Sequence, residues 1–377
     1  MKSKVWWLTG IVLFILVQTG YGQTIRYAVQ PLIAGEVIET REFVGEWEDS
    51  TYSDRVVQHL GKDQIPLFYT REIKTGVCFD GKCRLLDILL YWNPVGGYQG
   101  FELPEKEFLS KTDHDPFTEE EYEHLHEILA DSLSPLADYA FEEIVPGTGN
   151  PHEVDAVSSA TLKEILDHIV PGAAYTTYRL WHLIYGETAR EVSRLSENLF
   201  SEKFALALLG SPQATAQIWA LRRLHKLDSW SPELVQAVLA LLEEENLNVV
   251  VEALNCIPSD VLRNEAVQQK LAGIIGGHDY SLKKLAIGKM KDAPAIGQDV
   301  RRSLVGLVPG LNGDLLGKLL GLFWEKGITD LDTQLMVSEV LEGSNRYVGG
   351  KAFAYLEKVK PTDDRVLRRM RAFSEKR

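Results

Sequence analysis

The sequence predicts an α+β amino-terminal domain, an antiparallel sheet with helices, followed by an all-α solenoid of helix pairs. Three observations carry that reading. Stretches rich in β-branched and aromatic residues, with an apolar residue at every second position, fall only in the first part of the chain. From about Glu187 onward such stretches vanish, and short amphipathic helices follow one another, broken by Gly, Pro and Asn. In that second part leucines recur: Leu208-Leu209 is followed 13 residues on by Leu221, and Leu241-Leu242 by Leu254 at the same interval, an offset of 33 between units. A looser third copy, Asp279 to Leu285, matches Asn248 to Leu254 at an offset of 31. Periods in this range, built from helix pairs, indicate stacked repeats. The expected divisions are a signal peptide over 1–22, the α+β domain over 23–186 and the solenoid over 187–377.

Met1 to Gly22 has the three parts of a secretory signal. Lys2 and Lys4 give a positive start, Val5 to Val17 an apolar core, and Gly20-Tyr-Gly22 a small-x-small cleavage site. The apolar run is short of the roughly 20 residues that span a bilayer, and Gln23 as first mature residue argues against a lipoprotein. A periplasmic or secreted protein is expected. Without Lys2 and Lys4 the formal charge moves from −14 to about −16, and no dense Lys/Arg cluster stands out. Nucleic acid and anionic lipid surfaces are therefore poor partners.

In chain order, Ile25, Tyr27 and Val29 alternate as a strand, and Val37 to Val44 resumes after Pro31. Asp49 to Gly61 is polar and reads as a short helix. Leu67 to Cys78 and Cys83 to Trp92 make two arms of a hairpin turning at Asp80-Gly81, the second arm apolar enough to suggest cover on both faces. In this hairpin Cys78 stands opposite Cys83 at bridging distance, so export predicts a disulfide; a redox-active dithiol is the alternative. Cys256 reads as a buried thiol. Thr118 and Glu121 form a capping box with Phe117 and Tyr122 as staple, opening a helix to about Leu133. Asp113-His114-Asp115 with His124 or His126 is a poor metal pattern, since the two later histidines point to different helix faces. Tyr178, Trp181 and Tyr185 form an aromatic stripe on a helix over Ala173 to Tyr185, read as core and as a seam between the domains.

The stretch with the most chemistry is Glu153-Val-Asp155-Ala-Val-Ser158-Ser159-Ala160-Thr161-Leu-Lys163, small, hydroxylated and acidic residues directly before Leu162, Ile165, Leu166 and Ile169 at helical spacing. A helix starting near Ser158 would aim its N–H groups at this run, where an anion can bind; a simple N-cap by Asp155 or Ser158 is the plainer reading. The run resembles the Asp-x-x-Ser-Gly-Ala-Thr motif of FMN-binding domains, such as the flavin-carrying subunits of sodium-translocating NADH:quinone reductases, with Ser159 where that family has Gly. Asp80-Gly81-Lys82 followed by a strand resembles an element of the same domain, in the same order. The resemblance covers roughly 65–170. It implies FMN bound by Asp155, Ser158, Ser159, Ala160 and Thr161, esterified to Thr161. The later units resemble HEAT-type repeats, with that family's Asp and Arg ladder mostly missing.

Hydrolase and nucleotide-loop signatures are lacking: no Gly-x-Ser-x-Gly, His-Glu-x-x-His or Walker loop. The expectation is an exported, non-hydrolytic protein whose repeats bind a protein partner and whose first domain keeps an FMN-binding-like fold. The alternatives are an electron carrier with flavin on Thr161, and thiol redox work by Cys78 and Cys83.

Overall fold

The structure, a computed structural model, describes residues 24–45, 55–77, 85–111, 114–144, 163–277 and 279–375. It bears out an α+β domain followed by an all-α array. The chain divides into two compact units between Asn198 and Leu199.

The first unit is built on six strands, β1 (Ile25–Ala28), β2 (Glu39–Val44), β3 (Arg55–Leu60), β4 (Pro66–Thr75), β5 (Leu86–Trp92) and β6 (Tyr98–Leu103), in the order β1-β6-β5-β4-β3-β2 and antiparallel throughout. The period of two sends one set of side chains inward. Val56, Tyr69, Ile73, Ile88, Leu90, Trp92, Phe101 and Leu103 fill the core. Residues read as a short helix at 49–61 instead include β3. Val56 and Val57 favour extended backbone, and β3 is paired on both sides, by β2 and β4. On β5, Leu86, Ile88, Leu90 and Trp92 are buried, while Asp87, Leu89 and Tyr91 are only half-buried, so full cover on both faces is not realised.

Helices α1 (Glu119–Ala130), α2 (Phe141–Ile144), α3 (Ala174–Ile184) and α4 (Glu187–Asn198) complete this unit. The expected capping box is present: Glu121 N–H donates to Thr118 Oγ1 and Thr118 N–H to Glu121, and the Phe117 and Tyr122 rings lie 5.4 Å apart. The aromatic stripe of α3 packs inside the unit, on the end of α1: Trp181 Nε1 donates to Asp131 O and Tyr185 Oη to Leu129 O. The unit runs one helix past the boundary read at 186, because α4 buries Val192 and Leu195 in the sheet's core.

The second unit holds α5 (Glu202–Leu209), α6 (Ala214–Leu221), α7 (Pro232–Leu241), α8 (Leu247–Cys256), α9 (Glu265–Gly277), α10 (Tyr280–Lys291), α11 (Gln298–Gly306), α12 (Gly313–Glu325), α13 (Leu331–Glu339), α14 (Arg346–Val359) and α15 (Asp364–Glu375). Helices α6, α8, α10, α12 and α14 form one layer, each touching the next; in the other, α5 touches α7, and α9, α11, α13 and α15 follow in contact. This is a two-layer solenoid. Its period is sharper than the leucines implied. Asn246, Asp279, Asn312 and Asn345 cap successive helices of the first layer, each 33 residues after the last. The third unit read at offset 31 therefore sits at 33, with Asp279 answering Asn246. Each such cap contributes about 1 kcal/mol.

Candidate functional site

The residues expected to carry chemistry, Asp155, Ser158, Ser159, Ala160 and Thr161, and the pair Cys78 and Cys83, lie outside the described residues. Their flanks are described, and they meet. Val77, next to the cysteine stretch, gives its carbonyl to Thr176 Oγ1 at 3.0 Å. Val170, past the hydroxyl-rich stretch, donates its N–H to Thr177 Oγ1 at 3.1 Å. Ile165, Ile169 and Val170 are fully buried beside Val77 and Leu86 in one core. The described flanks Val77 and Val170 are thus held by adjacent threonines, Thr176 and Thr177. In place of a continuous α-helix, the described part of the motif helix is a 3-10 turn over Lys163–His168; Pro171 and Gly172, the latter at φ +77°, break the chain before α3.

Under α4 lies a polar seam that sequence reasoning missed. Gln58 Nε2 donates to Tyr69 Oη at 2.6 Å, and Tyr69 Oη lies 2.8 Å from Ser196 Oγ. Fully buried Arg71 donates to Thr188 Oγ1 at 2.6 Å. Burial chiefly, against its hydrogen bonds to Ser196 and Gln58, raises the Tyr69 phenol. These contacts hold a helix to a sheet; a polar residue at inward strand positions of β3 and β4 was the available signal.

His126 belongs to an aromatic pocket: Tyr98 Oη is 2.7 Å from its Nδ1, and the Tyr27 ring 5.6 Å from its own. Burial holds the imidazole below its ordinary value, with Glu127 opposing. Among the described residues no group of three or more His, Cys, Asp and Glu side chains is placed to hold a metal ion. Burial pushes the Cys256 thiol up to about 12, which keeps it protonated and a poor nucleophile.

No family model matches this chain, and no curated protein matches it. Its chemistry is therefore read from its own surfaces.

The solenoid offers two. A cleft of about 660 Å3 opens at the amino-terminal ends of α9, α11 and α13. Gln268, almost wholly buried at its wall, donates to Leu262 O at 2.7 Å and Ala295 O at 2.8 Å and accepts from Gly297 N–H at 2.9 Å. One period on, Arg301 Nε donates to Ile296 O at 3.0 Å; one further, Gln334 Nε2 donates to Thr329 O at 2.7 Å. The fourth residue of each of these helices thus fastens the loop before it. Gly297, the N-cap residue of α11, has no side chain to cap that helix; its own N–H is taken by Gln268, and a Cβ there would meet the Glu265 carboxyl carbon at 2.3 Å. Basic and acidic groups both line the cleft: Arg263, Arg301 and Arg302 with Glu265, Asp330 and Asp332.

The second surface lies on α10, α12 and α14. Tyr280 and Tyr347 are 45% and 59% exposed, large values for aromatic side chains. Tyr280 Oη donates to Asp314 across the repeat, and Lys318 Nζ lies 3.8 Å from the same carboxylate. The Tyr280 hydroxyl first, then the ammonium groups of Lys318, Lys284 and Lys351, hold the Asp314 carboxyl below its ordinary value. Lys351 Nζ stands 5.0 Å from the Tyr347 ring centroid.

Proposed function

We propose that this protein is an exported interaction scaffold, with its 33-residue helical repeats holding a protein partner. The observation that carries the reading is the regular two-layer array, in which successive repeats add the same helix face side by side and so extend one surface over many residues. Such a surface suits a long, shallow protein contact better than a small substrate, which calls for a deep pocket with convergent groups. The signal-like segment 1–22 supports export, and the sequence lacks hydrolase motifs. The HEAT-type resemblance belongs to the same reading.

The test is crosslinking with mass spectrometry on the full chain, made and exported in a bacterium. Partner crosslinks should fall mainly within 199–377. Crosslinks confined to 24–198, or none to any protein, would overturn the scaffold.

A second reading, a flavin carrier with FMN on Thr161, is favoured by one observation: β4 and β5 pair with Thr75 opposite Leu86, the order and register that a hairpin centred on Asp80-Gly81 requires. Asp155, Ser158, Ser159, Ala160 and Thr161 are the residues that would hold it. A visible flavin spectrum with an added FMN mass, lost in Thr161→Ala, is the expected result; a colourless protein of unmodified mass after co-expression with a flavin transferase would sink this reading.

A further inference from the structure

We propose that the face made by α10, α12 and α14 docks an acidic, extended segment of the partner protein; this rests on the scaffold reading and names its partner's chemistry. The face is locally basic in a chain of formal charge −14. Lys284, Lys318 and Lys351 come from three consecutive helices of one layer, and all three act electrostatically on a single carboxylate, Asp314, with Lys318 at 3.8 Å. Lys284 and Lys351 have no carboxylate within ion-pair distance among the described residues; their charge is left for a ligand.

Two exposed tyrosines flank these lysines. Tyrosine is enriched at protein interfaces because it offers a large, stiff ring with little rotamer entropy to lose. Tyr280 is further fixed by Asp314, so its ring is presented in one orientation. Two helical turns past Tyr280 the surface is low. On α10, Tyr280, Lys284 and Gly288 share one face at four-residue spacing. Gly321 stands one 33-residue period after Gly288, and a Cβ at either would meet nothing within 4 Å. Packing therefore does not require glycine at these places, although glycine is a poor helix former; both leave the helix backbone open to close approach by another chain.

A short acidic segment fits this patch better than a long polyanion. Over a screening length of about 8 Å the segment feels the three lysines, whereas a nucleic acid would extend onto the acidic remainder of the protein.

The test uses the full-length protein and a short fluorescein-labelled peptide of alternating glutamate and leucine, read by anisotropy. Binding should weaken with salt and fall roughly tenfold in Lys284→Glu/Lys351→Glu, while Lys284→Arg/Lys351→Arg retains it. Absence of binding, or equal binding by the charge-reversed protein at an unchanged melting temperature, would overturn the proposal. So would equal competition by single-stranded DNA, which would make the patch a general polyanion surface. If partner crosslinks still fall within 199–377 while the reversal has no effect, this face is wrong and the scaffold stands.

Discussion

Replacing Gln268 by leucine puts the repeat architecture to a quantitative test. The side chain is buried, and its amide makes three hydrogen bonds, to Leu262 O, Ala295 O and Gly297 N–H. Two of those partners belong to the loop that opens α11. Each bond contributes about 1 kcal/mol net, and losing the amide also strands two carbonyls and one N–H. Leucine keeps the volume and returns about 1 kcal/mol through its apolar burial. Water entering from the adjacent cleft relieves part of the stranding. The balance is a loss of about 3 kcal/mol, which for a unit of this size lowers the melting temperature by about 6–12 °C. Calorimetry on the full chain measures it, with Gln269→Leu as control: Gln269 is an exposed neighbour bonded to Ser303, and its loss should cost under about 0.5 kcal/mol. A Gln268→Leu loss below about 1 kcal/mol would refute the claim that this position staples one repeat to the next.

Three further outcomes are expected. The His126 imidazole titrates below its ordinary value in the folded state, so the first unit should keep full stability above about pH 6.5 and lose it as pH falls toward the lowered folded value, where the unfolded chain alone takes up the proton. His59 and His182, also lowered by burial, add in the same direction. A urea midpoint flat between pH 7 and pH 5 would contradict this. Alkylation of exported, unfolded and unreduced protein should label Cys256 alone, and labelling of all 3 cysteines before reduction would exclude a Cys78–Cys83 bridge. Gly349→Ala would drive a Cβ to 2.5 Å from the Phe373 ring; a cost of about 1–3 kcal/mol from overpacking should show as faster amide exchange in α15, and unchanged protection there would count against the packing described.

The parts of the fold legible in the sequence are those fixed by neighbouring residues. Thr118 and Glu121 announce a helix start by themselves, and Asp80-Gly81 between two apolar arms announces the pairing of β4 with β5. Strand β3 was not legible, because Arg55 to Leu60 is extended by pairing with β2 and β4 on both sides, a non-local cause. The repeats were half legible. Leucines mark the buried positions, yet the fastening residue is Gln268, then Arg301, then Gln334, chemically different groups that share the ability to donate to a carbonyl. A search for identical residues passes over them. The candidate surface at Tyr280, Lys284, Lys318 and Lys351 was hidden for a related reason: its members are scattered along the chain and gather only when three helices stack.

The constancy of the period from Asn246 to Asn345 gives the array interchangeable parts. Because equivalent caps recur every 33 residues and cross-repeat bonds such as Gln269–Ser303 and Lys291–Glu325 span 34, excising 298–330 would join Gly297 directly to Leu331, with the backbone entering α13 where it formerly entered α11. The seam would bring together surfaces already shaped for a neighbour of this kind. Such a chain can lengthen or shorten by whole units in evolution without inventing a new core, and the extent of its helical surface can change independently of the sheet domain that precedes it.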